Sequence, residues 1–201
     1  PFTLSARMAL AGRSLRAYVR DLLKRHGLKP SRRLGQHFLV DERAVRMFVS
    51  VVEPGATVYE VGCGLGSLTI PLAARASYVF CSELDERLAR VLTSVLEQLS
   101  VANVDVVVAD ALSFQPSISP HVVVSNTPFG ISSALVVELC RDEGLSYAVL
   151  GVQRELGLRL LAKPGEGEYG RLSVIAQLCF ELDRLFRVPA ASYIPKPEVE
   201  T

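Results

Sequence analysis

The stretch TVYEVGCGLGS, residues 57–67, joins a short apolar run directly to three closely spaced glycines. The run TVYEV has the length and the β-branched and aromatic content of a buried strand, and a helical pattern follows at 67–76. Glycines between a strand and a helix let backbone amides approach a ligand at the mouth of an open α/β sheet. The stretch therefore predicts a ligand-binding loop after the first strand of such a sheet.

Apolar runs and helical patterns alternate through the rest of the chain. Strands are predicted at 78–82, 104–109, 121–125, 147–152 and, last, 179–188, and helices at 85–99, 131–142, 153–162 and 170–178. Valine-rich strands that alternate with helices are typical of a parallel sheet covered on both faces. The predicted fold class is α/β, with a doubly wound, mostly parallel sheet.

The length and composition of the chain favour one globular domain. The 201 residues are 49% hydrophobic, and no apolar run is long enough to span a bilayer. No secretory signal pattern is visible, and the four cysteines (Cys63, Cys81, Cys140, Cys179) are widely scattered. We therefore expect a cytoplasmic monomer with reduced cysteines that bind no metal.

Positive charge is concentrated at the beginning of the chain. Residues 1–36 carry nine basic side chains and one acid, a net charge of +8, whereas the remainder has 13 basic and 20 acidic side chains, a net charge of −7. Such a block fits contact with a phosphate backbone and fits a solvated helix face equally well. The candidate contacts to nucleic acid are Arg13, Arg16, Arg20, Lys24, Arg25, Arg32 and Arg33.

Apolar residues recur between these arginines at helical spacing. They predict a basic amphipathic helix over 3–26, which Gly27 and Pro30 end. A second helix is predicted to begin near Asp41, an acceptable N-cap, and to run to about Glu53.

Acidic residues follow the predicted strands. Glu83 ends the second strand, 21 residues after Gly62, where a carboxylate can accept from both hydroxyls of a ribose. Asp110 ends the third strand and is placed to accept from an adenine amino group, although both acids could instead cap the helices after them. Glu60 lies within a strand and needs a partner, such as a backbone amide or a cofactor ammonium.

These features indicate a cofactor that contains a nucleoside. The glycine spacing is G-x-G-x-G, whereas the dinucleotide pattern G-x-G-x-x-G requires glycine at Ser67. S-adenosylmethionine fits at least as well as a nicotinamide cofactor, and the fourth strand favours it.

The fourth strand ends in NTPF, residues 126–129. The side-chain oxygen of Asn126 and the backbone carbonyl of Thr127 could accept hydrogen bonds from both N–H groups of an exocyclic amine. Pro128 biases Thr127 to an extended conformation and removes one backbone donor. The Phe129 ring offers a face for a nucleobase to stack on, and these three parts together favour methylation of a nucleobase amine by alignment and fixed dipoles.

With these residues the chain resembles the KsgA family of ribosomal RNA adenine N6-dimethyltransferases, in particular its archaeal and eukaryotic members. The resemblance covers 34–201 and is carried by ordered motifs: LGQHFLVD (34–41), the glycine loop, SELD (82–85), ADA (109–111), NTPF, VQRE (152–155), AKPG (162–165), YGRLS (169–173) and YIPKP (193–197). It implies a Rossmann-like class I methyltransferase fold, S-adenosylmethionine as methyl donor, no metal, and two adjacent adenosines of small-subunit ribosomal RNA as the target during ribosome biogenesis.

The resemblance also implies roles for single residues. Glu83 is expected to hold the ribose and Asp110 the adenine of the cofactor, while Asn126 lies between cofactor and target. The implied cofactor-binding residues are His37, Leu39, Gly62, Gly64, Glu83, Leu84, Asp110, Ala111 and Asn126, and the implied catalytic residues are Asn126, Thr127, Pro128 and Phe129. For His37, the contact could come from the backbone alone.

Three departures from the family pattern bear on function. Thr127 stands where the family usually has an apolar residue, and the basic stretch before Leu34 is longer than the usual start. That stretch either binds RNA or packs on the core. The third departure is that we expect no counterpart of the family's C-terminal helical domain. The domains expected are a basic helical extension (1–33) and a catalytic domain (34–201).

Two rival functions remain open. One is a non-catalytic RNA-binding factor in ribosome assembly that keeps the methyltransferase fold. The other is a nicotinamide oxidoreductase, which the glycine spacing disfavours.

Overall fold

A single parallel sheet forms the centre of the protein. The computed structural model describes residues 13–114 and 121–197. The strands are β1 (Phe38–Leu39), β2 (Thr57–Val61), β3 (Tyr78–Glu83), β4 (Val104–Val108), β5 (His121–Asn126), β6 (Leu145–Gly151) and β7 (Tyr193–Ile194). The strands from β2 to β6 form the sheet in the order β4-β3-β2-β5-β6, and every neighbouring pair is parallel.

Helices connect the strands. They are α1 (Leu15–Arg25), α2 (Glu42–Ser50), α3 (Thr69–Ala73), α4 (Glu86–Gln98), α5 (Ser132–Leu139), α6 (Arg154–Leu161) and α7 (Arg171–Cys179). The predicted fold class and the alternation of strands and helices are confirmed. No described helix is long and apolar enough to cross a membrane.

Successive residues of the central strands pack into two hydrophobic cores, one on each face of the sheet. On β2, Val58 packs with residues of α1 to α4, whereas its neighbour Tyr59 packs with Leu135 and Leu139 of α5 on the opposite face. Side chains alternate between the faces of a strand, so a strand between two helical layers must be apolar on both sides. This requirement explains the continuous valine-rich runs.

The strand order determines where a crevice opens at the edge of the sheet. The chain runs outward from β2 through β3 to β4, and then returns to the other side of β2 to form β5 and β6. The loops after β2 and β5 therefore leave the sheet in opposite directions, and a crevice opens between them. The glycine loop and the NTPF stretch are these two loops.

Helix α1 packs against the core of the sheet. The Ser14 side chain caps α1 by accepting from the Ala17 amide at 3.3 Å. Three residues of α1 are buried in the core around β2 and β3: Leu15, Val19 and Leu22. The predicted helix over 3–26 is confirmed from residue 15, whereas residues 1–12 lie outside the described part. The boundary between 1–33 and 34–201 stays a prediction.

One predicted strand is wrong and one strand pair was not predicted. Residues 180–189 form no strand, because they pair with none of the described strands. Instead, β1 and β7 form a two-stranded antiparallel sheet, with Phe38 opposite Ile194 and Leu39 opposite Tyr193. Two residues are too short a run for periodicity to reveal, since the signal of a strand needs at least four.

The cysteines also differ from expectation. Cys63 and Cys81 are free and buried, but Cys140 and Cys179 form a disulfide bond with a Cα–Cα distance of 5.5 Å. The expectation that all four are reduced is therefore wrong for this pair. Cys140 caps the end of α5 and Cys179 ends α7, and only the packing of these helices brings two cysteines 39 residues apart together.

Candidate functional site

A cavity of about 210 Å³ lies at the carboxyl ends of β2, β3 and β5. Every residue that the sequence singled out as cofactor-binding or catalytic lines it: His37, Leu39, Gly62, Gly64, Glu83, Leu84, Asp110, Ala111, Asn126, Thr127, Pro128 and Phe129. Of the seven basic candidates, only Arg33 lines the cavity. The fold thus brings together residues from five separate stretches, while their roles remain predictions.

The glycine loop is packed too closely for side chains. Gly62 has φ +73° and lies against Pro128, whose ring carbons would be 3.3 Å from an added Cβ. Gly64 has φ +54° and lies equally close to the Phe38 ring. Since residues with a Cβ rarely adopt such φ values, glycine is required here for backbone conformation and for close approach. The loop is thereby wedged between the NTPF stretch and β1.

Glu83 ends β3 with its carboxylate inside the cavity wall. Its Oε2 accepts from the Gly64 amide at 2.8 Å, and its Oε1 accepts from the Asp85 amide at 2.9 Å. Burial raises the pKa of Glu83 above its ordinary value. A carboxylate has about four acceptor positions, so these two bonds leave capacity for two further donors.

Asp110 lies beyond the end of β4 and is exposed. Its Oδ1 accepts from the Leu112 amide at 3.0 Å, which holds the turn after the strand. The second oxygen makes no hydrogen bond within the described residues. Asp110 therefore holds a turn and not the start of a helix as the alternative required, since no helix follows it among the described residues, and it presents one further acceptor at the cavity.

Glu60, near the end of β2, lines the cavity and is only 2% exposed. The Cys81 thiol donates to its Oε2 at 3.6 Å. Burial raises the pKa of Glu60 to about 7, because no cation among the described residues compensates the loss of water. The predicted need for a partner is met in part by a thiol, a weak donor that sequence reasoning did not consider.

Asn126 ends β5 and is held by the segment in front of β1. Its Nδ2 donates to the His37 carbonyl at 3.0 Å, which leaves Oδ1 as an acceptor. The backbone of Thr127 is fixed by a 3.0 Å bond from its amide to the Gly151 carbonyl, and its own carbonyl accepts nothing from the described residues. Two adjacent acceptors thus remain uncommitted at one end of the cavity.

Phe129 is half buried beside these acceptors. The His37 imidazole stacks on its ring, with centroids 4.9 Å apart and planes inclined by 29°. The His37 Nδ1–H donates to the Pro195 carbonyl at 2.8 Å. The His37 imidazole therefore covers one face of the Phe129 ring, and which part of His37 contacts the cofactor stays a prediction.

Gln36 is a site residue that sequence reasoning missed. Its Nε2 donates to Asp85 Oδ2 at 3.1 Å, and its Oε1 accepts from the Ser31 amide at 2.8 Å. Through these bonds it ties the segment before β1 to the start of α4. The only signal for it was its position within LGQHFLVD, because a glutamine carries no periodic or charge pattern.

The basic candidates divide into two groups. Arg13 and Arg25 both form ion pairs with Asp21, and Arg16 donates to the Ala191 carbonyl. The side chains without such a partner within the described residues are Arg20, Lys24, Arg32 and Arg33. These four are the cations that remain available to a phosphate backbone.

Comparison with known proteins identifies the family. The family model described as ribosomal RNA adenine dimethylase matches residues 27–201. The chain belongs to the ribosomal RNA adenine dimethylase family. A probable ribosomal RNA small subunit methyltransferase A from Aeropyrum pernix is 40% identical, over 94% of this chain and 69% of the relative. The corresponding protein of Deinococcus radiodurans is 38% identical, over 91% of this chain and 63% of its own length.

Solved structures agree with this assignment. A dimethyladenosine transferase from Plasmodium falciparum superposes with a TM-score of 0.73 at 27% identity, covering 80% of this chain and 59% of that one. The 23S rRNA methyltransferase ErmE gives a TM-score of 0.68 at 32% identity, covering 81% and 66%. The predicted class I methyltransferase fold and the resemblance to the dimethylase family are confirmed. The chain spans about two thirds of the length of these relatives.

Proposed function

We propose that this member of the dimethylase family transfers methyl groups from S-adenosylmethionine to the N6 amines of two adjacent adenosines in small-subunit ribosomal RNA. The observation that carries the proposal is the pair of uncommitted acceptors, Asn126 Oδ1 and the Thr127 carbonyl, beside the Phe129 ring. The names of the relatives that match this chain support the choice of the small subunit.

The residues present fit S-adenosylmethionine. Buried hydroxyls of Ser67 and Thr127 line the cavity, and neither has a hydrogen-bond partner within the described residues, so a polar ligand would satisfy them. Glu83 would hold the ribose hydroxyls with its remaining acceptor positions, and Asp110 would hold the adenine amine. When bound, S-adenosylmethionine supplies an electrophilic methyl group.

Glu60 is the residue suited to the cationic part of such a ligand. Its carboxylate lies in the same cavity wall as Gly62 and Glu83. A nearby positive charge would favour the ionised form that burial now disfavours. We therefore assign Glu60 to the ammonium of the methionine moiety.

The acceptor pair accounts for how a weak nucleophile reacts. The lone pair of an adenine N6 amine is delocalised into the ring. Hydrogen bonds from both of its N–H groups to Asn126 and Thr127 would favour a pyramidal nitrogen with the lone pair directed at the methyl donor. Alignment and fixed dipoles then provide the catalysis, and the displaced proton leaves to solvent.

The Phe129 ring would hold the target base by stacking. Because His37 covers one face, the base must use the open face or displace the imidazole. Stacking on an aromatic ring contributes about 1 to 3 kcal/mol per base. We assign the remainder of RNA binding to four basic side chains, those of Arg20, Lys24, Arg32 and Arg33.

We also propose that the protein acts in the cytoplasm on immature small subunits.

The test is transfer of labelled methyl groups from S-adenosylmethionine to immature small ribosomal subunits, followed by nucleoside analysis of the RNA. The expected result is dimethyladenosine in the small-subunit RNA, formed much more slowly by the Asn126→Ala variant. Cofactor binding by calorimetry without transfer to any immature subunit would instead favour the non-catalytic assembly factor.

A further inference from the structure

Helix α1 contacts the glycine loop. The inner side of α1 carries Tyr18, whose hydroxyl donates to the backbone carbonyl of Leu65 at 3.1 Å. The two residues are 47 positions apart, and Leu65 is itself buried in the core that α1 helps to form. A helix that the charge pattern singled out for nucleic acid thus also makes a specific polar contact with the glycine loop.

The contact is made at the loop's centre. Leu65 lies between Gly64 and Gly66, which have φ values of +54° and +84°. A backbone with glycine on both sides has unusual conformational freedom, so its peptide planes need external restraint to hold one orientation. The Gly64 amide is held by Glu83 at 2.8 Å, and the carbonyl of the next residue, Leu65, is held by Tyr18 at 3.1 Å.

The Tyr18 hydroxyl is a dependable donor. Desolvation raises the pKa of Tyr18 above its ordinary value, so the phenol is protonated at neutral pH and can donate. The ring packs against the core, and its neighbours Leu15, Val19 and Leu22 are buried. The donor is therefore presented on a rigid helix.

We infer that Tyr18 is a positioning residue of the cofactor site, which holds the glycine loop in its binding conformation through the Leu65 carbonyl. The inference rests on the proposed function for the identity of the ligand, S-adenosylmethionine. It makes α1 part of the cofactor-binding unit as well as a basic surface element.

The chain contains a matched control for this hydrogen bond. Tyr147 is also half buried, and its hydroxyl also donates to a backbone carbonyl, that of Val51, at 3.1 Å. Tyr147 lies near the start of β6, two residues after Leu145, whereas the cavity lies at the carboxyl ends of the strands. Tyr18→Phe and Tyr147→Phe therefore each remove a hydroxyl that donates to a backbone carbonyl, and the Tyr147 hydroxyl also accepts from the Glu53 amide at 3.1 Å, so the control removes at least as much hydrogen bonding as the test variant.

The experiment compares the wild type and both variants by calorimetry with S-adenosylmethionine, by thermal melting, and by hydrogen exchange of the ligand-free protein. Tyr18→Phe is expected to weaken cofactor binding by about twofold to tenfold, the range that corresponds to one hydrogen bond. It should also speed exchange in residues 62–67. Tyr147→Phe should lower the melting temperature at least as much as Tyr18→Phe does. It should leave the affinity for S-adenosylmethionine and the exchange of residues 62–67 unchanged.

Unchanged exchange and affinity in Tyr18→Phe would overturn the inference, as would equal loss of affinity in both variants. A wild type that binds no S-adenosylmethionine, together with faster loop exchange in Tyr18→Phe alone, would reject the proposed cofactor and retain Tyr18 as the anchor of the loop.

Discussion

His37 contacts Asn126 and Phe129 with different parts of the same residue. Its carbonyl accepts from Asn126 Nδ2 at 3.0 Å, and its imidazole stacks on the Phe129 ring at a centroid distance of 4.9 Å. A residue from the segment before β1 therefore orients both the amide and the ring that follow β5. Because the Asn126 amide donates to a carbonyl, its oxygen is left to face an incoming donor.

Asn126→Ala should abolish most methyl transfer while the fold survives. Loss of one preorganised dipole at a reacting centre typically lowers the rate by about 100-fold to 1000-fold. We expect such a loss in single-turnover transfer, with a melting temperature close to that of the wild type. Asn103→Ala is the control, because Asn103 Nδ2 donates to the Ala73, Ala76 and Ser77 carbonyls at and after the end of α3 and Asn103 does not line the cavity. Near-normal transfer by Asn126→Ala would show that Asn126 does not align the target amine.

Phe129→Ala should impair the use of RNA more than cofactor binding. Loss of a stacking platform costs about 1 to 3 kcal/mol per base, so the KM for subunits should rise by about fivefold or more. Calorimetric affinity for S-adenosylmethionine should change little. Phe129→Tyr keeps the ring and should restore the KM. Equal losses of RNA use and cofactor affinity in Phe129→Ala would mean that the ring is structural.

Thr127→Val should retain transfer, because the assigned role belongs to the backbone carbonyl. The Thr127 hydroxyl is buried and has no hydrogen-bond partner within the described residues. An unsatisfied buried hydroxyl costs about 1 to 3 kcal/mol, so replacing it by a methyl group should leave the free energy of unfolding unchanged or raised. Denaturant titration of the ligand-free variant measures this, and a clear loss of stability would contradict it. Calorimetric affinity for S-adenosylmethionine should fall, because the bound ligand would satisfy this hydroxyl, and transfer is therefore compared at saturating cofactor.

Removing the Cys140–Cys179 bond should destabilise the protein and spare the site. A bond that closes a loop with a sequence separation of 39 residues contributes about 4 kcal/mol in the chain-entropy model. Denaturant titration with and without reductant should reveal a loss of this order. The Cys140→Ser, Cys179→Ser double variant should be equally destabilised and insensitive to reductant. Transfer at 25 °C should persist, and its loss would show that the bond also shapes the site.

Glu60 should make the ligand-free protein less stable as pH rises. Its folded pKa of about 7 lies above the ordinary 4.5, so the contribution is fully present below pH 4.5 and is lost as pH rises through about 7. The total change is on the order of 3 kcal/mol. Glu60→Gln should remove this slope when unfolding is followed between pH 4 and pH 8. The pKa of Asp85 is held at about 2 by Arg87, so its contribution to stability is lost mainly as pH falls below about 4 and has the opposite sign to that of Glu60.

An unchanged slope in Glu60→Gln would show that another group titrates there. Glu83 is the alternative, since burial also raises its pKa. Comparing the pH dependence of unfolding in the wild type and in Glu60→Gln separates the two contributions. The part that disappears in the variant belongs to Glu60, and the part that remains belongs to other groups such as Glu83.

Local patterns were sufficient for the sheet and for the residues at its edge. The run TVYEV could be recognised as a strand because burial on two faces demands apolar residues throughout. The candidates Glu83, Asp110 and Asn126 could be assigned to one site because parallel strands end at the same edge. Such inferences need no knowledge of how distant segments pack.

The sequence by itself determined the α/β fold, the family motifs and the set of residues around the cavity. Only the tertiary structure decided that Tyr18 holds the glycine loop, that His37 covers Phe129, that Cys140 meets Cys179, and that β7 pairs with β1. Each of these contacts joins residues at least 39 positions apart. Their geometry depends on how helices and loops pack in three dimensions, and no periodicity or spacing within one segment encodes it.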